Sequence, residues 1–148
     1  VSVTLPCAED VNYWRTGRSS PDAWLDKACR LIDEVGGIVH GRVIGYLNGR
    51  GAIQIAFEIE GEPYRLAWPV LTTRDGDPNH PAARIQAATF IYHDVKAKAM
   101  TAKVFGPARA FVEHRLIGPG RTVADLSDQS AVDLANAMPR LLPERTDP

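Results

Sequence analysis

Residues 52–70 read AIQIAFEIEGEPYRLAWPV. Ile53, Ile55, Phe57 and Ile59 alternate with Gln54, Ala56, Glu58 and Glu60, and Tyr64, Leu66 and Trp68 alternate with Arg65 and Ala67. A period of two with the apolar residues all on one side is the pattern of strands that bury a single face. With Glu60-Gly61 as a two-residue turn of the primed type, Phe57 faces Tyr64, Ile55 faces Leu66 and Ile53 faces Trp68. A slip of one residue would turn half of these side chains into water, so the register is strongly specified.

A weaker strand is expected over residues 38–47, ahead of this hairpin. A three-residue loop, Asn48-Gly49-Arg50, would set Val43 opposite Ile55 and Gly41 opposite Phe57, the glycine making room for the ring. His40, Arg42 and Tyr46 would then share a solvated face with Gln54, Glu58 and Arg65.

Before that strand, Ser20, Pro21 and Asp22 supply an N-cap, a first-position proline and an acid for the first turn of a helix. Trp24, Leu25, Ala28, Leu31, Ile32 and Val35 recur at helical spacing, and Gly36-Gly37 ends the run. Residues 1–19 are irregular apart from a short strand over 1–5, with Tyr13 and Trp14 anchoring the segment to the body.

Pro69 ends the hairpin, and TTRDGDPNHP (72–81) is dense in turn formers. Asp75 and Asp77 lack the spaced ligands and terminal Glu of a calcium loop, so a turn is the better reading. A long helix is expected over 81–103, capped by Asn79 or His80, with a stripe of Ile85, Ala88, Ile91, Tyr92, Val95, Ala99 and Ala102 for the sheet. Gly106-Pro107 breaks it. Residues 108–116 form a short helix or a strand, residues 122–126 begin another element, 130–138 form a short helix, and 143–148 are a tail. The order gives an α+β two-layer domain: an N-terminal helix, a three-stranded antiparallel meander, a long helix packed on the sheet and short C-terminal elements.

The chain has 148 residues, 45% hydrophobic and 24% charged, as in an ordinary globular protein of one domain. No apolar run approaches a membrane span, and the first residues lack the layout of a signal peptide. The sequence does not open on Met, so an upstream segment could be missing. Cys7 and Cys29 lie far apart and read as isolated thiols, with a reducing cytoplasm as the expected setting. The net charge is −1, but residues 1–83, 84–121 and 122–148 carry −3, +5 and −3. The basic middle holds Lys96, Lys98, Lys103, Arg109, Arg115 and Arg121, candidates for binding phosphates. On the helix, Lys96 and Lys103 fall at one edge of the stripe and Lys98 at the other, where lysines commonly lay their stems along apolar surface. Phe90 and His93 point away from the stripe centre. They mark an interaction surface unless the last third of the chain covers Phe90, the favoured reading.

The four histidines show no zinc spacing. No nucleophile elbow, dinucleotide fingerprint or phosphate loop is present, so no catalytic residue, metal or cofactor is expected.

The order α-β-β-β-α resembles that of double-stranded-RNA-binding domains, although the lysines here come about four turns into the helix. The β-β-β-α part resembles the core of single-strand annealing proteins. At sequence level, AIQIAFEIEGEPYRLAWPV, VKAKAM, AFVEHRLIGPGRTVADL and MPRLLP resemble a family of small uncharacterised bacteriophage and prophage proteins over residues 20–143. That resemblance implies a mobile-element setting and no particular activity. The expectation is a non-enzymatic nucleic-acid-binding accessory protein, DNA ahead of RNA. The alternative is a protein-interaction module, as a homo-oligomer or a binder of a host or phage protein.

Overall fold

β2 (Arg50–Ile59) and β3 (Glu62–Pro69) form the expected hairpin in the computed structural model, which describes residues 4–47 and 50–126. Phe57 pairs with Tyr64, Ile55 with Leu66 and Ile53 with Trp68. Glu60 (φ 53°) and Gly61 (φ 81°) are both left-handed, the signature of a type I′ turn, whose twist matches that of the strands. Ile53, Ile55, Phe57, Ile59, Tyr64 and Leu66 are buried.

β1 (Ile38–Leu47) joins β2 as an antiparallel edge strand, in a register other than the expected one. Leu47 pairs with Arg50, so two residues separate the strands instead of three, and Arg42 lies opposite Ile55, Val43 opposite Gln54 and Ile44 opposite Ile53. The ladder shifts between Val39 and Gly41, leaving Val39 opposite Phe57 and Gly41 opposite Ala56. A bulge of this kind inserts a residue that strict alternation cannot anticipate. One consequence is a change of face. Arg42 points to the helix side and places its Nη1 2.7 Å from Asp26, while His40 stays on the outer side with its Nε2 2.9 Å from Glu58 Oε1.

α1 (Pro21–Glu34) and α2 (Pro81–Phe105) pack against each other and cover one face of the sheet. Ser20 Oγ accepts from the Ala23 N–H, and Leu25, Ala28 and Ile32 are buried. Gly36 (φ 102°) turns the chain out of α1, and a Cβ on Gly37 would lie 2.5 Å from Ile32, so neither position accepts a larger residue without strain. In α2, His80 is the cap, its Nδ1 accepting from the Ala82 N–H. The loop before it closes on Thr73, whose hydroxyl accepts from the Asp77 N–H, in line with a turn.

The first half of α2 is buried nearly all round, because residues 5–15 cross its outer side. Gln86, buried where a soluble helix would be polar, donates its amide to the carbonyls of Ala8 (2.8 Å) and Asn12 (3.0 Å). Beyond Tyr92 this strap ends and the outer face opens: Lys96, Met100, Lys103 and Val104 are exposed. Among the described residues, Phe90 is covered by Tyr13 of the strap and by Trp68 of β3; much of the last third of the chain, expected to cover it, lies outside the described residues.

After α2 come α3 (Pro107–Ala110) and a 3-10 turn (Val112–His114), in place of the single helix or strand expected over 108–116, and then the short pair β4 (Leu116–Gly118) and β5 (Arg121–Thr122). Phe111 is buried edge-on against Phe57, and Arg115 bridges to Tyr64, closing the free side of β3. The expected helix over 130–138 and tail over 143–148 lie outside the described residues, as does most of the expected strand over 1–5. Among the described residues, no helix is long and apolar enough to cross a membrane.

Candidate nucleic-acid interface

Trp24 of α1 and Tyr92 of α2 meet across the groove between the helices, ring centroids 5.2 Å apart. Lys27 lies one turn after Trp24 and Lys96 one turn after Tyr92, so each lysine shares a face with its aromatic. Lys27 Nζ is 4.9 Å from the Trp24 ring and 5.8 Å from that of Tyr92, and Lys96 Nζ is 6.0 Å from the Tyr92 ring. Both distances to Tyr92 fall within cation–π range, which draws positive charge to the negative ring faces. His93 extends the series, 5.2 Å from Tyr92 and stacked at 5.1 Å on Tyr13. Tyr13 meets Phe90 edge-on, and Phe90 stacks on Trp68. Trp24, Tyr92 and Tyr13 are half-buried, while Lys27, His93 and Lys96 are exposed.

The strap reaches this ridge through two non-glycine residues in the left-handed region, Tyr13 (φ 68°) and Arg15 (φ 54°). Each such residue costs of order 1–2 kcal/mol. Packing of Tyr13 on His93 and Phe90, and of Trp14 on His80 at 5.3 Å, holds the strap in this conformation. Strained backbone of this kind concentrates at functional surfaces.

The structure divides the six basic residues singled out in the sequence. Lys96 belongs to the ridge, and Lys103, seven residues on, is exposed along the same side of α2. Arg109 lays its guanidinium 4.1 Å from the Phe105 ring centroid, Arg115 is 3.4 Å from Glu62, and Arg121 is exposed on β5. Lys98 turns to the opposite edge of α2, where its Nζ lies 2.7 Å from Asp94 Oδ2 and 2.6 Å from Glu113 Oε1. Burial works against the charged form of Lys98, yet the hydrogen bonds to both carboxylates outweigh it and raise the ammonium above the usual lysine range. Its charge is matched where it stands. Of the two residues assigned to an interaction surface, His93 lies on the ridge and Phe90 beneath it.

Beside Lys98 is a cavity of about 580 Å³ between the β3 edge, α2 and residues 113–125, lined by Trp68, Leu71, Arg65, Asp94 and His114 among others. Donor atoms of Asp94, Glu113 and His114 lie within 4.8 Å of one another, spacing that would suit a metal ion. The lysine ammonium already contacts both carboxylates, and a cation would have to displace a side chain only 15% exposed. His114 Nε2 is buried without a hydrogen-bond partner among the described residues, and burial followed by the nearby Lys98 charge lowers its pKa, so the ring is neutral at pH 7. The cluster acts as a clamp that fastens the Val112–His114 turn to α2.

Tyr13, Trp24, Lys27 and Tyr92 were not singled out as functional in the sequence. Trp24 and Tyr92 fit the apolar stripes of their helices, and only the pairing of α1 with α2 brings them together. The one available signal was lysine one turn after an aromatic, repeated on both helices. Searches against family models, curated proteins and solved structures found no match to this chain.

Proposed function

We propose that this chain is a non-enzymatic nucleic-acid-binding protein, an accessory protein of a phage or mobile element as the sequence resemblance implies, and that the ridge of Trp24, Tyr92 and His93 with Lys27 and Lys96 is its binding face. The observation that carries this reading is the convergence of two exposed lysines on the rings of Trp24 and Tyr92. Faces of this composition suit single strands: unpaired bases stack on aromatic rings, and the ammonium groups turn to the phosphates between them. Lys103 extends the cationic line along α2. With a net charge of −1, the protein has no strong long-range attraction for polyanions, so binding is modest and local to this face.

The test is a titration of fluorescent single-stranded DNA, single-stranded RNA and duplex DNA by anisotropy over a salt series. Single-stranded DNA is expected to bind tightest, with affinity falling as salt rises and Trp fluorescence quenched on binding. Absence of binding to every nucleic acid at low salt overturns the proposal. A second reading, a protein-binding module, is favoured by the exposed apolar end of α2, where Met100 is 63%, Val104 75% and Phe105 56% exposed. It is the reading left standing if the nucleic-acid titrations fail.

A further inference from the structure

His80 caps α2 through Nδ1, which accepts from the Ala82 N–H at 3.0 Å. In a neutral imidazole one nitrogen accepts and the other carries the proton, so this bond assigns the proton to Nε2. Nε2 lies 3.3 Å from Nη2 of Arg15, a group that can only donate. Two donors therefore point at one another, and no hydrogen bond forms between them while the cap holds. Such a pair is satisfied by an acceptor shared between them, and the nearby acids are engaged elsewhere. Asp75 accepts from the Thr73 hydroxyl and Asp77 Oδ1 from the Asn79 N–H. Arg15 is exposed and has no carboxylate within ion-pair distance among the described residues. Its guanidinium carbon sits 5.4 Å from the Trp14 ring centroid, and Trp14 packs on His80 at 5.3 Å. The first amides of α2 are already used, Ala82 by the His80 ring and Ala83 and Arg84 by the His80 carbonyl. This corner is thus built from side chains and not from the helix end.

We infer that Arg15, His80 and Trp14 form a phosphodiester subsite, in which one phosphate oxygen accepts from both Arg15 Nη2 and His80 Nε2 and the adjoining base lies against Trp14. An anionic oxygen turns the opposed donors into two hydrogen bonds, the one from the guanidinium charge-assisted. A ring directly beside the anion-binding pair is what a nucleotide requires, since its base stacks while its phosphate is held. The strap joins this corner to the ridge. Tyr13 stacks on His93, and the next residue, Trp14, packs on His80. His80 and His93 are 13 positions apart, about 20 Å along α2, so one extended strand can reach both. The subsite rests on the nucleic-acid reading of the ridge and extends that face toward the start of α2.

The test is a titration of the full chain with an oligothymidine of about twelve nucleotides, read by anisotropy over a salt series and by NMR of the His80 ring nitrogens. The proteins are wild type, Arg15→Gln and Lys27→Ala/Lys96→Ala. Arg15→Gln removes the charge and can itself accept from His80 Nε2, so thermal unfolding should show it no less stable than wild type. It should bind about three- to tenfold more weakly, with a log–log salt slope shallower by about 0.7. The His80 ring should carry its proton on Nε2 and shift when the oligonucleotide is added to wild type. Equal affinity and slope in wild type and Arg15→Gln, or a His80 ring that does not respond, overturns the subsite and leaves the ridge standing. Weakened binding in Arg15→Gln but not in Lys27→Ala/Lys96→Ala supports the subsite and removes the ridge. Absence of binding by wild type overturns both, and inorganic phosphate that shifts His80 where the oligonucleotide does not would make this a site for a free ion, against the inference.

Discussion

Lys96 and Lys98 stand two residues apart on α2 and have opposite fates. Two positions turn a helix by roughly 200°, enough to place one lysine over Tyr92 in solvent and the other between Asp94 and Glu113. Lys96 has no carboxylate within ion-pair distance among the described residues, whereas Lys98 has two. An ion pair already made, part-buried and hydrogen-bonded, is structure. A charge held only by a ring face is available to exchange that contact for a phosphate. A basic run in a sequence therefore says little until the helix has been placed between its neighbours.

The contrast breaks most visibly at Lys98. Lys98→Ala leaves Asp94 and Glu113 facing each other and is expected to lower stability by about 2 kcal/mol, less than for a fully buried pair because the Glu113 side chain is half exposed. Chemical denaturation reads this directly, and binding of nucleic acid should not change. Lys96→Ala should do the reverse, with stability within about 0.5 kcal/mol of wild type and weakened binding.

A smaller effect is expected at Tyr92. Tyr92→Ala removes one stacking ring and should weaken single-strand binding by about 1–2 kcal/mol, roughly five- to thirty-fold, in the anisotropy titration. Smaller again is the change in salt dependence. Lys27→Ala/Lys96→Ala removes two phosphate contacts and should make the log–log salt slope shallower by about 1.4. The slope for Lys98→Ala should equal that of wild type.

The clamp also has a pH signature. The hydrogen bond from Lys98 holds the Glu113 carboxyl below its usual range against the opposing effect of burial. Its contribution is therefore present at neutral pH and is lost as pH falls through the carboxylate range. Burial keeps His114 neutral when folded, so below the ordinary histidine value of about 6.5 the unfolded chain takes up a proton that the folded one does not. Both act in one direction. Stability should fall on acidification from pH 7 to 4, first through His114 and then through Glu113, and Glu113→Gln should flatten the lower part of the curve in denaturation at several pH values.

The fold was legible where local chemistry leaves one solution. Alternation on both sides of Glu60-Gly61 dictated the β2–β3 register pair by pair, and Ser20-Pro21 and His80-Pro81 marked both helix starts. β1 was less legible, because a bulge near His40 reverses which residues face the helices and Asn48-Gly49 alone separates the strands. The packing on Phe90 was not legible for a different reason: among the described residues it meets Tyr13, 77 positions earlier in the chain, and no periodicity reports such a contact. The candidate site was barely legible. Lys96 and His93 were singled out, but the rings that give them meaning come from the strap, α1 and α2, and only their packing assembles the ridge.

The measurement that bears most directly on the ridge is a side-by-side titration of single-stranded DNA, at low and moderate salt, with wild type, Lys27→Ala/Lys96→Ala and Lys98→Ala. The expected result is salt-sensitive binding by wild type and Lys98→Ala, and binding weakened at least about tenfold in the double variant. Equal affinity in all three proteins, or no binding by any of them at low salt, would contradict the assignment of this face to nucleic acid.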